Sequence, residues 1–189
     1  MQKLYCAVTA RMYDDWIDLP LWMAGFMEGR QTLELTFAVE QAFEKSLAMG
    51  RGCWVAKLEV RKAFDTMDHP EFATLCESYG IHPSLILSTL REWEGARTTI
   101  EVNGFGNKIN MMAGGRQGGR DTPKLWNVLL FLILRDLVEE WEEEQLVWEL
   151  PTRDDLRPRL NILAWADDLL IFANSKEGLQ KKTQGWLRD

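Results

Sequence analysis

Two adjacent acidic side chains, Asp167 and Asp168, interrupt the apolar segment LAWADDLLIF at residues 163–172. Burying one carboxylate without a partner costs several kcal/mol, and two adjacent carboxylates also repel each other. The flanking residues 160–166 and 169–173 predict two strands buried on both faces, with the acidic pair in the turn between them. Aspartate is common in such turns for backbone reasons alone. The alternative is that the turn lines a cleft, where a Mg²⁺ ion bound by carboxylate oxygens would relieve the repulsion.

Composition limits the other kinds of site that the chain can form. Two histidines, His69 and His82, supply zinc sites and histidine-based triads poorly. Three cysteines at wide spacing favour a reducing compartment without disulfides. The longest apolar run, residues 128–134, is too short to span a bilayer, and the first residues show no leader pattern. With 46% hydrophobic and 27% charged residues among 189, we expect a globular protein without membrane contact.

The acidic charge is unevenly distributed along the chain. The formal net charge is −7, and residues 136–150 contain seven acidic side chains and no basic one. Residues 108–124 instead carry four basic side chains against a single acidic one. This basic segment predicts either a patch that contacts phosphate or a solvated loop of mixed charge.

Hydrophobic periodicity and turn residues predict helices mixed with strands. Residues 32–49 form an amphipathic pattern that ends at Gly50-Arg51-Gly52, and residues 53–60 follow as a mostly buried strand. Two helices are expected at residues 70–80 and 83–93, a hairpin at residues 97–112 and a glycine-rich loop at residues 113–120. A long helix is expected from Asp121 or Thr122 onward, and a final helix from Asn174-Ser175 onward. This mixture predicts an α+β fold.

A cation site at the acidic pair needs another carboxylate from elsewhere in the chain. The best candidate is Glu59 in VAKLEVRKAFDTMDH, residues 55–69, where a predicted strand ends. Taken alone, Glu59 is also an ordinary polar residue at the end of a strand.

Four segments, in order, resemble the motifs of reverse transcriptases of the non-LTR retrotransposon and group II intron type. KLEVRKAFDTMDH is similar to the first catalytic motif, and AWADDLLIF is similar to the motif that usually has tyrosine before Ala-Asp-Asp. GGRQGGRDTPKLWNVLL resembles the glycine-rich loop and following helix, with Arg116-Gln117-Gly118, Pro123 and Asn127 in register. GFMEGRQTLELTFAVEQA resembles the stretch that precedes the first motif. Together they span nearly the whole chain.

The resemblance implies the fold of a right-hand polymerase. The expected architecture is α+β, with a palm and partial fingers built from an antiparallel sheet and packed helices, and with the thumb absent. Residues 1–52 are expected to form partial fingers. Residues 53–189 are expected to form the palm, with fingers segments interleaved at about residues 80–120.

The resemblance also implies a two-metal site. Glu59, Asp167 and Asp168 would be the catalytic residues and would bind two Mg²⁺ ions roughly 3.5–4 Å apart, with Mn²⁺ as a substitute. The reaction implied is nucleotidyl transfer to a primer 3′ hydroxyl.

Five further residues match positions that contact substrate in the family. Phe64 would lie against the incoming sugar and exclude a 2′ hydroxyl, with core packing as the alternative. Arg116, Gln117 and Gly118 would line the template strand and the nascent base pair, and Trp165 would pack under the primer. The implied partners are an RNA template, a DNA primer and deoxynucleoside triphosphates, in the nucleus or the cytoplasm.

Three departures separate the implied fold from the implied activity. The family has aspartate at the position of Glu59, and a displacement near 1 Å in such a site can cost on the order of 10²-fold in rate. Trp165 replaces the usual tyrosine and lacks its hydroxyl. The resemblance does not reach the motif that holds the triphosphate, nor the thumb. We therefore expect a polymerase fragment that is inactive in isolation; the alternative is an inactive descendant that binds nucleic acid or protein.

Overall fold

The computed structural model describes residues 2–95, 97–102, 105–110, 112–116, 118–149 and 159–185. Six α-helices and seven strands occur in these residues, with a single 3₁₀ turn at Ala63–Asp65. The helices are α1 (Gln2–Asp14), α2 (Thr32–Met49), α3 (His69–Tyr79), α4 (Pro83–Glu94), α5 (Thr122–Glu143) and α6 (Lys176–Gly185). The strands are β1 (Trp54–Glu59), β2 (Arg97–Val102), β3 (Phe105–Asn110), β4 (Trp148–Glu149), β5 (Arg159–Leu160), β6 (Ile162–Trp165) and β7 (Asp168–Ala173). The predicted α+β class, with antiparallel sheets and packed helices, is confirmed.

Local sequence signals explain several element boundaries. Helix α2 has the predicted bounds, and Gly50 ends it in the left-handed conformation with φ 61°. Helix α3 begins after Asp68, whose side chain accepts a hydrogen bond from the Glu71 amide, and ends at Gly80 with φ 91°. The predicted start of the last helix also holds, since the Ser175 hydroxyl accepts a hydrogen bond from the Gly178 amide.

The chain divides into two compact units. Unit 1 comprises Met1–Leu19 and Arg61–Ile133, and unit 2 comprises Pro20–Val60 and Leu134–Asp189. The predicted boundary at residue 52, between partial fingers and palm, stays a prediction. No helix in the described residues is both long enough and apolar enough to cross a bilayer.

Unit 1 has an aromatic core built from α1, α3 and α4. The rings of Phe72 and Trp93 meet edge to face with centroids 5.0 Å apart, and His69 stacks on Trp93 at 4.5 Å. The Tyr13 hydroxyl forms a buried hydrogen bond of 3.0 Å with the Thr89 hydroxyl. These contacts hold α1, α3 and α4 together within unit 1.

Unit 2 contains a three-stranded antiparallel sheet in the order β1-β7-β6. Residues Trp54 to Glu59 of β1 pair with Ala173 to Asp168 of β7, and Trp165 of β6 also pairs with Asp168. One buried cluster of this unit is formed by Ala42, Trp148, Leu163 and Phe172.

The predicted buried strand at residues 53–60 is wrong in its burial and slightly wrong in its bounds. The residues of β1 are all exposed or half-buried, and Trp54 is 43% exposed. An edge position in the three-stranded sheet does not explain this exposure, because β6 is the other edge strand and its first three residues are buried. The difference lies in how far other elements cover the faces of each strand, which a run of apolar residues does not predict.

The predicted turn at the acidic pair is displaced by one residue. Residues 166–167 form the turn, and Asp168 is already the first residue of β7. Ala166 has φ 56°, a left-handed conformation that lets the chain reverse over two residues.

Candidate active site

Three acidic residues lie at the adjoining ends of β1 and β7, and we call Glu59, Asp167 and Asp168 the carboxylate corner. Glu59, the last residue of β1, is the register partner of Asp168, the first residue of β7. The Val60 amide donates a hydrogen bond of 2.9 Å to the carbonyl oxygen of Asp167. Side chains of register partners point to the same face of an antiparallel pair, so strand pairing brings Glu59 next to Asp168.

The carboxylate corner is more exposed than the sequence predicts. Glu59 is exposed, Asp167 is half-buried, and the side chain of Asp168 is 45% exposed. Water therefore reduces the repulsion between these carboxylates, and the cost that an apolar setting would impose is smaller than expected.

The turn of the carboxylate corner is held in place by the segment before α2. The Ala164 amide donates to the Trp22 carbonyl at 2.8 Å, and the Ala24 amide donates to the Ala164 carbonyl at 3.0 Å. A Cβ on Gly25 would collide with the backbone of Ala166. Glycine is thus required where this segment passes the turn.

Lys57 is a further residue of this site that sequence analysis missed. Its ammonium lies 2.8 Å from Oδ1 of Asp168. The pKa of Lys57 is raised mainly by the hydrogen bond to Asp168 and by the negative charge of Asp168, and less by the charges of Glu59 and Asp167. The spacing KLE signals this arrangement, because residues two apart on a strand share a face.

The donor set of the carboxylate corner fits a hard divalent cation by its chemistry. All three side chains offer carboxylate oxygens, the ligands that Mg²⁺ prefers. Their side chains do not yet converge, since the described part of the chain has no group of three or more acidic, His or Cys side chains placed to share an ion. The carboxylate of Asp168 faces Lys57 instead.

Trp165 lies beside the carboxylate corner. It is the register partner of Asp168 across β6 and β7, and its side chain is half-buried. Together with Leu35, Leu163 and Leu170 it lines a groove of about 330 Å³ that Lys57 and Asp168 also line. The groove gives Trp165 an open side next to the acidic residues.

In unit 1, the segment of Phe64 is bound to the glycine-rich loop. The Gly115 amide donates to the Phe64 carbonyl and the Gly114 amide donates to the Met67 carbonyl, each at 2.8 Å. The Gly114 carbonyl lies 2.9 Å from Nε2 of His69. Sequence analysis missed this role of His69, which links the loop to the start of α3.

Phe64 is half-buried and does not lie wholly in the core. Its ring meets that of Trp126 on α5 at an angle of 68°, with centroids 6.0 Å apart. The contact restricts the ring, and the half-exposed side leaves it able to touch a ligand.

The loop residue Arg116 is already paired within unit 1. Its Nη1 lies 3.4 Å from Oε1 of Glu92 on α4, and the Arg116 carbonyl accepts a hydrogen bond of 2.8 Å from the Thr122 hydroxyl. Gly118 has φ 77° and open space around it. Gln117, also expected to contact substrate, lies outside the described residues.

The sequence matches the family model "Reverse transcriptase (RNA-dependent DNA polymerase)" over residues 2–188. The chain belongs to this family. Its relatives include the Pol polyprotein of the type-2 retrotransposable element R2DM from Drosophila melanogaster, 30% identical over 131 residues. Another is the polyprotein of the type-1 element R2 from Popillia japonica, 32% identical over 147 residues.

These alignments cover most of this reverse transcriptase chain but little of the relatives. They span 69% and 75% of the chain, against 11% of the Drosophila polyprotein and 22% of the Popillia polyprotein. The activities of the whole polyproteins therefore do not transfer to the chain by alignment alone.

Solved structures support the same fold. The reverse transcriptase chain resembles telomerase from Candida albicans, in complex with a fragment of telomeric RNA, with a TM-score of 0.64 at 10% identity. That match covers 97% of this chain and 31% of the telomerase. A Candida tropicalis telomerase gives a TM-score of 0.65 at 10% identity, covering 96% and 30%. At such identity, the likeness shows the polymerase fold alone.

Proposed function

We propose that this chain carries the nucleotidyl-transfer site of an RNA-templated DNA polymerase. The observation that carries the proposal is the register pairing of Glu59 with Asp168, next to Asp167. It brings two acidic residues from distant parts of the sequence to adjoining strand ends. The match to the reverse transcriptase family supports the direction of templating, from RNA to DNA.

In this proposal the carboxylate corner binds the divalent cations of the reaction. Mg²⁺, or Mn²⁺ in its place, supplies activation of the primer 3′ hydroxyl and stabilisation of the leaving pyrophosphate. Glu59, Asp167 and Asp168 contribute the negative charge and the oxygen ligands. Glu59 reaches one methylene further than aspartate would, which slows the reaction rather than abolishing cation binding.

The remaining roles are those that the motif resemblance implies. Phe64 excludes the 2′ hydroxyl of a ribonucleotide, because its ring is restricted by Trp126 and cannot move aside freely. Arg116, Gln117 and Gly118 contact the template strand and the nascent base pair. Trp165 supports the primer terminus. The partners are thus an RNA template, a DNA primer and deoxynucleoside triphosphates.

Primer extension on an RNA template tests the proposal. One protein is the 189-residue chain alone, and the other is the Drosophila R2 polyprotein in which residues 2–188 of this chain, the range of the family match, replace the corresponding segment. We expect extension by the chimera and none by the isolated chain, because the chain spans only 11% of that relative. A folded chimera that binds primer–template, yet extends no better than its Asp168→Asn variant, would refute the polymerase function.

A second candidate is a catalytically inactive domain that binds nucleic acid or a protein. It is favoured by the ion pair of Asp168 with Lys57 and by the carboxylates that do not converge among the described residues. Anisotropy with a labelled primer–template distinguishes the cases. Salt-dependent binding that Arg116→Ala with Arg120→Ala weakens, but Lys45→Ala does not, would support the binding domain if extension is absent.

A further inference from the structure

Lys57 is placed to compete with a cation at the carboxylate corner. On β1, Lys57 and Glu59 are two residues apart and therefore share a face of the sheet. The register partner of Glu59 is Asp168, so the ammonium, Glu59 and Asp168 share that face. The Nζ–Oδ1 distance of 2.8 Å makes the contact to Asp168 a charge-assisted hydrogen bond.

An ammonium and a divalent cation seek the same oxygens. The hydrogen bond from Lys57 occupies a lone pair of Asp168 that a cation would otherwise use, and turns the carboxylate toward Lys57. A positive charge beside the corner also repels an arriving cation. Both effects agree with the lack of a convergent three-ligand group among the described residues.

The ion pair is weak enough to open. The side chains of Lys57 and Asp168 are 62% and 45% exposed, and exposed ion pairs contribute little to stability. Water can therefore replace either partner at small cost. The contact modulates cation binding and does not block it.

We propose that Lys57 is an internal counter-ion that competes with divalent cations for the Asp168 carboxylate and so sets the cation concentration at which the site fills. The proposal rests on the proposed function, since it takes the carboxylate corner to be the cation site. It adds a residue that determines cation affinity, on the same strand as Glu59 and outside the ligand set.

Titration with Mn²⁺, followed by the electron paramagnetic resonance signal of the free ion, tests the proposal on the full chain. Lys57→Gln removes the charge, Lys57→Arg keeps it, and Lys45→Gln is a matched control at an exposed position of α2. An Asp168→Asn variant identifies which binding belongs to the corner. Circular dichroism establishes that every variant is folded.

We expect Lys57→Gln to bind Mn²⁺ about three- to tenfold more tightly than the unmodified chain at low ionic strength. Lys57→Arg and Lys45→Gln should stay within about twofold of it, and added KCl should reduce the gain. Equal or weaker binding by Lys57→Gln, with Asp168-dependent binding intact, overturns the role of Lys57 alone. Absence of Asp168-dependent binding in every variant overturns both this role and the cation site of the proposed function.

Discussion

At the scale of single residues, the position of one carboxylate in the site depends on the extra methylene group that glutamate has compared with aspartate. The motif resemblance places Glu59 where reverse transcriptases have aspartate, and strand pairing brings Glu59 opposite Asp168. The longer side chain keeps the charge and shifts the carboxylate outward. The consequence belongs to catalysis and not to folding, because Glu59 is exposed at a sheet edge.

Glu59→Asp should therefore raise the rate of primer extension by the R2 chimera, on the order of 10- to 100-fold. Single-turnover extension on an RNA template measures it. Glu28→Asp, an exposed residue before α2, is the matched control and should change nothing. A rate that falls or stays the same would show that the glutamate already places its carboxylate correctly.

The glycine-rich loop requires glycine at position 114. It has φ 83°, and an added Cβ would lie 2.9 Å from backbone atoms of Phe64 and Asp65. Gly114→Ala should lower the free energy of unfolding by about 1–3 kcal/mol, measured by chemical denaturation.

Gly80→Ala separates the effect of backbone strain from the effect of steric crowding around the added Cβ. Gly80 also lies in unit 1 and has φ 91°, but nothing lies within 4 Å of its added Cβ. We expect a smaller loss of unfolding free energy for Gly80→Ala than for Gly114→Ala. Equal losses would mean that the close approach to Phe64 and Asp65 contributes nothing.

At the scale of elements, a buried lysine joins α6 to β7. Lys182 is fully buried and donates hydrogen bonds to the Phe172 carbonyl at 2.8 Å and to Oδ1 of Asn161 at 2.9 Å. Burial lowers the pKa of Lys182 from 10.5 to about 7, against the opposing effect of Glu142. Helix α6 is thus attached to the strand that begins with Asp168.

The lowered pKa of Lys182 makes the stability of the fold depend on pH. Between pH 7 and 10.5 the unfolded chain binds a proton at Lys182 that the folded chain does not, so stability rises with pH. The unfolding free energy of the unmodified chain, less that of Lys182→Met, should rise by up to about 1.4 kcal/mol per pH unit in this window. A flat difference for Lys182 would show that its amine is equally protonated in both states.

Elements whose boundaries are set by nearby residues were predictable from the sequence. Features that depend on the pairing of distant strands were harder to predict. Helix α2 has its predicted bounds because periodicity and Gly50 are both read within the segment. The place of Asp168 in β7 follows from strand pairing, which no segment contains by itself. Lys57 was missed for the same reason, since its partner lies more than a hundred residues away.

At the scale of the whole molecule, the sequence identifies the family, whereas the structure is needed to show how the acidic residues of the site come together. The reverse transcriptase family was predictable because four motifs occur in order, and the family match covers residues 2–188. The meeting of β1 with β7 supplies what motifs cannot, a physical reason for distant acidic residues to act together. The ion pair of Asp168 with Lys57 joins two motifs that are far apart in the sequence, and it becomes visible only when β1 pairs with β7.

Cleavage by bound iron tests most directly whether Glu59 and the Asp167-Asp168 pair share bound cations. Fe²⁺ with ascorbate and peroxide generates hydroxyl radicals that cut the backbone close to the ion, and mass spectrometry locates the cuts. We expect cuts near residue 59 and near residues 167–168 together, both suppressed by excess Mg²⁺ and both lost in Asp168→Asn. Cuts near only one of these positions, or only elsewhere in the chain, would contradict it.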